Sequence, residues 1–518
     1  MQRYNILWAD DEIDLLKPHI LFLEKKGYDI TPVNSGSDAI ELCEKKTFDI
    51  VFLDENMPGM SGLESLSEIK NLRPNMPVVM ITKNEEEHIM EEAIGAKIAD
   101  YLIKPLNPNQ ILLSVKKILD NRRLITERTN LNYQQEFRNI AMTVQDHLDH
   151  EEWADVYKKL VYWELEIEDT DNDSMEEVLL MQKEEANTQF CKFIMDDYAD
   201  WLNDPESSKP LLSHQVMKKK VFPLLGEEPV FFIVIDNLRY DQWKIIEPIV
   251  AQYFNVESEE SYYSLLPTTT AYARNAIFSG LLPTEMEKKH PDLWVGEDSE
   301  DGKNNNEDKF LEKQIRRNNL DIKFTYHKIK NTGQGKNFSD QINNLMANDL
   351  NVAVYNFVDM LSHARTDVAM IRELAPDEGA YRSLTKSWFE HSALLEAIKK
   401  LSDKKVKVVI TTDHGTTRVK KPFKIIGDRN VNSNLRYKQG KNLGYDLKNV
   451  MTVTDPAKYF LPKLNVSTSY AFAIEDNFFA YPNNFNYYVN YFKDTFQHGG
   501  VSMEEMIIPF VLLRSKNV

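Results

Sequence analysis

Three apolar stretches of this 518-residue chain, all after residue 228, end in acid, and two of them add a histidine. Asp236 closes the apolar run in PVFFIVIDNLR, NVAVYNFV leads into Asp359 with His363 four residues on, and KVKVVITT leads into Asp413 and His414. A last His498 stands in the turn-like segment QHGGVS. Imidazole and carboxylate together suit zinc, and two such clusters suit a two-metal site. Before Gly280 the segment SLLPTTTAYARNAIFSG places three threonines ahead of a pattern compatible with a short helix. A threonine at a helix N-terminus has free N–H groups and the positive end of the helix dipole beside it, which suits an anion-binding nucleophile. Bound to Zn²⁺, its hydroxyl loses a proton far more readily than in water.

A second group of acids lies near the N-terminus. Asp10 and Asp11 follow the strand-like YNILW, and Asp54 ends FDIVFL. Carboxylates gathered in one crevice repel one another unless a hard cation joins them, and Mg²⁺ with oxygen ligands and retained waters is the expected one. The metal lets an electron-rich phosphoryl group approach Asp54, which can attack it as a nucleophile. Thr82 and Lys104 end two further strand patterns and offer a hydroxyl and an ammonium to the phosphoryl oxygens. Pro105 after Lys104 invites a cis bond that aims the lysine.

The elements that must position these residues follow from pattern. Up to Arg122, five strand patterns (YNILW, YDITPV, FDIVFL, PVVMIT, DYLI) alternate with helical ones from about Ile13, Ser37, Ser61, Glu86 and Pro108. That alternation predicts a doubly wound α/β domain. In the strand order 2-1-3-4-5, Asp10 and Asp11 face Asp54. No glycine occurs between Gly95 and Gly226 and no proline between Pro108 and Pro205, so residues 123–205 are expected to form a bundle of three or so helices, with Asp169 to Ser174 as a connection. Residues 206–518 form an α/β domain. There the uninterrupted apolar run from Pro229 to Ile235 suits a strand buried on both faces of a mostly parallel central sheet. Asp236 then stands where such sheets place their ligands.

The formal charge is −19. Asn121 to Pro205 carries 21 acids against 8 bases, or −13, which leaves −6 for the rest. An acidic chain without a helix-turn-helix pattern argues against a sequence-specific DNA-binding output. Acids interrupt the N-terminus and no apolar run approaches a membrane span, so a cytoplasmic protein is expected. Cys43 and Cys191 read as buried small apolar residues. From Arg418 to Lys441 eight bases meet one acid. This excess of +7 points to a polyanionic substrate, with Arg436 and Lys441 as candidate contacts and Tyr437 and Tyr445 as candidate stacking rings. Arg274 and Asn275 are candidates for phosphoryl-oxygen contacts. The polar stretch from Glu285 to Asn319 is expected to be a flexible lid or disordered.

The first 120 or so residues resemble the receiver domain of two-component response regulators. The resemblance implies phosphorylation of Asp54 by a sensor histidine kinase, one Mg²⁺ held by Asp10, Asp11 and Asp54, and Thr82, Tyr101 and Lys104 as switch residues. Lys83 stands where a small residue is usual, a departure that bears on phosphoryl lifetime.

The order Asp236, Thr, Asp359 with His363, Asp413 with His414, His498 resembles the alkaline phosphatase superfamily. The ending HGGVSMEEMIIP looks like its PglZ group. Counting back from the helix-ending Gly280 in that superfamily's manner selects Thr270 as nucleophile, with Thr269 in reserve. Two zinc ions per chain are implied, one on Asp359, His363 and His498, the other on Asp236, Thr270, Asp413 and His414.

All three segments together resemble the PorX-type response regulators. That likeness implies a zinc phosphodiesterase acting on nucleotides or on cyclic or linear oligonucleotides, a homodimer on phosphorylation, and control of type IX secretion and gliding. The alternative is a phosphorylation-controlled adaptor whose zinc domain is a platform for a secretion component or sigma factor.

Overall fold

A computed structural model describes residues 4–73, 76–83, 98–168, 173–204, 208–296, 302, 304–427 and 432–516, with only the helical course at 120–128, 130, 173 and 369. The chain divides into one unit up to Gln135 and a second over Glu136–Glu168 and Asn172–Val518.

In the first unit β1 (Tyr4–Ala9), β2 (Tyr28–Val33), β3 (Ile50–Asp54), β4 (Val78–Thr82) and β5 (Asp100–Ile103) pair in the order β2-β1-β3-β4-β5. All four pairings are parallel. Such a sheet buries both faces, and alternate residues of β1 divide accordingly. Leu7 and Ala9 join Ala39, Cys43, Leu66 and Ile69 of the helices Gly36–Lys45 and Gly62–Leu72, whereas Ile6 and Trp8 join Ile20, Leu23, Ile111 and Val115 on the other side. The helix expected from Ile13 opens as a tight 3-10 turn, Ile13–Leu16, and becomes α-helical at Lys17, where Pro18 fits the first turn because it has no N–H to satisfy. The helix expected near Glu86 lies outside the described residues. The Lys104–Pro105 bond is cis.

The helix begun at Pro108 runs without a break to Val144, through the boundary that composition places at 122 and 123.

The second unit carries β6 (Val230–Ile235), β7 (Phe254–Tyr263), β8 (Phe324–Ile329), β9 (Leu350–Tyr355) and β10 (Lys407–Thr411). There follow the short strands β11 (Thr417–Arg418), β12 (Lys421–Lys424), β13 (Tyr437–Gly440), β14 (Val450–Val453), β15 (Ser469–Ala473), β16 (Asn477–Ala480) and β17 (Phe496–Gln497), then the final β18 (Ile507–Ser515). The main sheet is ordered β7-β18-β10-β6-β9-β8. β8, β9, β6 and β10 are parallel neighbours, and β18 runs antiparallel to both β10 and β7. Every residue of β6 is buried, as its unbroken apolar run requires of a central strand.

The middle segment does not stand apart. Its helices His150–Glu168 and Asp173–Asn203 share an aromatic core with β7: Trp201 and Phe190 lie 5.5 and 6.2 Å from the Tyr263 ring, and Trp153 lies 5.6 Å from Phe190. The Tyr263 hydroxyl donates to the His150 carbonyl at 2.7 Å, and the Tyr198 hydroxyl accepts from the Leu266 N–H at 2.9 Å. Farther along the same helix, Asn187 donates to Glu504 at 2.8 Å and the Cys191 thiol to the Val501 carbonyl at 3.3 Å. Part of the expected connection, 169–172, lies outside the described residues.

Candidate metal and phosphoryl-transfer sites

In the first unit, β1 and β3 end side by side and bring ligand atoms of Asp10, Asp11 and Asp54 within 4.8 Å of one another. Lys104, at the end of β5, reaches across with its Nζ 2.6 Å from Asp54 and 2.8 Å from Asp10. Burial raises the Asp54 carboxyl, a shift that Lys104 opposes. The Thr82 hydroxyl donates to Glu55, Tyr101 is half-buried against the core, and Lys83 pairs with Glu12 at 3.2 Å. The oxygen-rich trio fits Mg²⁺.

In the second unit three adjacent parallel strands deliver their ligands at one edge. Asp236 directly follows β6, and Asp413 and His414 follow β10 after Thr412. Asp359 lies within the first turn of the helix Phe357–Asp367, beyond the end of β9 rather than at it. His363 is one turn further along the same face. His498 follows β17, and Gly499 turns the chain there with a φ of +123°, which favours a residue without a Cβ.

Two clusters result, Asp359 with His363 and His498, and Asp236 with Asp413 and His414, each with its ligand atoms within 4.8 Å of one another. The His414 and His498 rings stack at 4.2 Å and join the clusters. Thr270 begins its helical segment with its hydroxyl 3.2 Å from His414 Nε2 and 3.4 Å from Asp236 Oδ1. Gly280, in the left-handed region, ends the helix that follows.

Backbone carbonyls of Gly415 and Thr268 fix the Nδ1 edges of His414 and His498 at 3.1 and 3.2 Å, leaving Nε2 of each toward the clusters. Burial lowers His414 and His498 toward the neutral form that ligates metal. It also raises the carboxyls of Asp359 and Asp413, and that of Asp236 to about 6. Asp359 Oδ1 and Asp413 Oδ2 are buried without a hydrogen-bond donor. Orphan carboxylate oxygens beside neutral imidazoles fit a pair of cations with nitrogen and oxygen ligands.

Several candidates from sequence take other places. Arg274 is fully buried, with Nη1 2.5 Å from Asp236 and 3.8 Å from Asp413, and Nε 2.5 Å from Glu307. It is buried against Asp236, a candidate metal ligand. Asn275 is buried and donates to its own helix at the Ala271 carbonyl. Arg436 is also fully buried, gripping Glu505 at 2.6 and 3.2 Å, so it is no surface contact. Lys441 is exposed beyond β13.

The +7 excess is largely spent on partners: Arg418 on Asp494, Lys421 on Asp476 and Lys420 on Glu184, at 3.1, 3.1 and 3.6 Å. Tyr437 is buried, and Arg429 lies outside the described residues. Proximity in sequence cannot tell which cations the fold turns inward.

The polar stretch read as a lid contains the helix Glu307–Arg317, whose buried Glu307 balances Arg274. Residues 297–301 and 303 of that stretch lie outside the described residues. Two contributors went unnoticed in sequence: Glu307, hidden in a polar run, and Asn356, which donates to Asp236 at 2.8 Å.

Residues 216–513 match the family described as the BREX system PglZ alkaline phosphatase-like domain, 123–202 the PorX response regulator linker domain, and 6–116 the response regulator receiver domain. Curated relatives include the alginate biosynthesis transcriptional regulatory protein AlgB of Pseudomonas syringae pv. tomato, 36% identical over 120 residues (23% of this chain, 27% of that one). ZraR of Klebsiella oxytoca is 34% identical over 123 residues (24% and 28%). The chain therefore spans about a quarter of the length of these relatives.

Among solved structures, a CheY-like receiver from Methanospirillum hungatei is 28% identical, covering 23% of this chain and 96% of that one with a TM-score of 0.23. A BeF3-activated DrrB receiver is also 28% identical, covering 23% and 99% with a TM-score of 0.22. No helix among the described residues is long and apolar enough to cross a membrane.

Proposed function

The chain belongs to the family of the BREX system PglZ alkaline phosphatase-like domain, carried behind a response-regulator receiver and a PorX-type linker, and on that premise we propose that it is a response regulator phosphorylated on Asp54 whose output domain is a zinc-dependent phosphodiesterase. Its substrates are nucleotides or linear or cyclic oligonucleotides. The observation that carries this reading is the Thr270 hydroxyl, set 3.2 Å from His414 and 3.4 Å from Asp236 where two metal-type clusters meet. A binding surface alone has no use for a nucleophile at that point.

Asp359, His363 and His498 would hold one zinc and Asp236, Thr270, Asp413 and His414 the other. Zinc held by these residues would supply acidification of the attacking hydroxyl and stabilisation of charge on the leaving oxygen. Thr270 Oγ gives its proton to solvent and attacks phosphorus in line, its bond to phosphorus forming as the bond to the leaving alcohol oxygen breaks, and that oxygen takes up a proton from solvent. Water then cleaves the phosphothreonine, releasing the monoester and restoring the hydroxyl. Arg274 and Asn356 hold Asp236 at 2.5 and 2.8 Å, so its orientation is set before substrate arrives.

In the receiver, Asp10, Asp11 and Asp54 would hold Mg²⁺, and Lys104 is already placed to meet the phosphoryl oxygens. Dimerisation on phosphorylation and control of type IX secretion are the outputs this reading carries.

The test is zinc content together with hydrolysis of bis-p-nitrophenyl phosphate, linear dinucleotides and cyclic oligonucleotides. Thr270→Val is expected to keep about two zincs per chain and to lose at least ~10³-fold in turnover. Two zincs with undiminished turnover would remove Thr270 as nucleophile.

A further inference from the structure

The helix Phe485–Phe492 has five aromatic residues among its eight and buries none of them. Tyr487 is 65% exposed and Tyr488 38%. The rings are ordered all the same: Tyr487 lies parallel to Tyr491 at 6.2 Å and Tyr488 to Phe492 at 6.3 Å. Water does not favour such a surface, and an exposed apolar patch marks a place where something else lies down.

Its position says what. The Tyr491 hydroxyl donates to Asp367 at 3.3 Å, and Asp367 stands one turn beyond His363 on the helix that also carries Asp359. Arg365, from the same helix, lies 4.9 Å over the ring of Phe496, two residues before His498. The aromatic helix is thus tethered to the helix that supplies Asp359 and His363, which itself packs against the strand leading to His498. That cluster is the one open to solvent: the His363 side chain is 62% exposed, whereas Asp236, Asp413 and His414 are 0 to 1% exposed. Cations flank the rings, with the Arg372 guanidinium 5.4 Å over Tyr491 and Lys424 Nζ 5.0 Å over Phe485.

Exposed aromatic rings beside cations are the equipment by which proteins hold single-stranded nucleic acid, bases stacking on the rings and phosphates meeting the charges. Resting on the phosphodiesterase reading, we infer that the helix Phe485–Phe492 is a stacking shelf for nucleobases of a linear oligonucleotide whose scissile phosphate lies at the two clusters. The two cations complement the phosphates of such a strand, whereas two copies of a chain with a net charge of −19 repel one another. The shelf makes the site a reader of bases, and tolerant of which base, since every base offers a π face.

The experiment uses full-length, zinc-loaded Thr270→Val protein, which holds substrate without cutting it, and titration calorimetry with two probes, tetraadenylate and an abasic ribose-phosphate tetramer. Tetraadenylate is expected to bind more tightly than the abasic strand. Adding Tyr487→Ala should weaken tetraadenylate about tenfold and leave the abasic strand's affinity unchanged, while Tyr487→Phe restores the difference. Equal affinity for the two strands, an equal loss on both, or no loss overturns the shelf. So does a change in sedimentation caused by Tyr487→Ala, which would assign the patch to a second copy.

Hydrolysis of methyl p-nitrophenyl phosphate by the wild type separates the two readings. No turnover with base-dependent binding intact sinks the enzyme and keeps the shelf. Turnover without base-dependent binding does the reverse.

Discussion

Lys438 shows how far one cation can stray from the role its neighbours in sequence suggest. It lies within β13, 1% exposed, with Nζ donating to the Asn432 carbonyl at 2.8 Å and 4.8 Å over the Tyr481 ring. Burial lowers its ammonium to about 7. The unfolded chain holds that proton to about pH 10.4, so between those values it binds more protons than the folded one and stability from this residue rises with pH. Below pH 7 the buried charge costs its full amount. Lys438→Met is therefore expected to raise the urea midpoint at pH 7, with the gain shrinking as pH approaches 10. An unchanged midpoint at both pH values would mean that the charge is solvated after all.

Residues of this kind also mark the limit of reading from sequence. Asp236, Asp413, His414 and Asp54 announce themselves because a polar group ending an apolar run has a strand to stand on. Glu307 and Asn356 do not, because their pairing with Arg274 and Asp236 is made across the fold and leaves no spacing to find.

Among the elements, the helices His150–Glu168 and Asp173–Asn203 were visible as helices from the lack of glycine and proline and the spacing of their apolar residues. Which surface they cover was not visible, since an apolar stripe looks the same whatever it packs against. The structure commits them to the C-terminal sheet. Besides the aromatic core on Tyr263, Arg382 ties Glu164, Glu168 and Asp241 at 3.0, 2.7 and 3.0 Å. Taking the two helices away would strand a buried guanidinium with one partner instead of three and bare a sheet edge. Residues 136–518 are thus expected to unfold in one cooperative urea transition. Residues 206–518 alone should bind a hydrophobic dye and lose that transition. Two equally sharp transitions would show the sheet to be self-sufficient.

For the whole molecule the receiver is the input, and its acid trio with Lys104 is complete. With Mg²⁺ and beryllofluoride the full chain is expected to sediment as a dimer where the untreated protein is a monomer, and Asp54→Ala should abolish the response. A profile that beryllofluoride leaves unchanged would detach dimerisation from phosphorylation.

The shared core between the middle helices and the C-terminal sheet also has a consequence for descent. Genes that recombine at domain borders can exchange a receiver whose two hydrophobic layers close upon themselves. The linker and the output domain, which complete one another's interior, have to be inherited together.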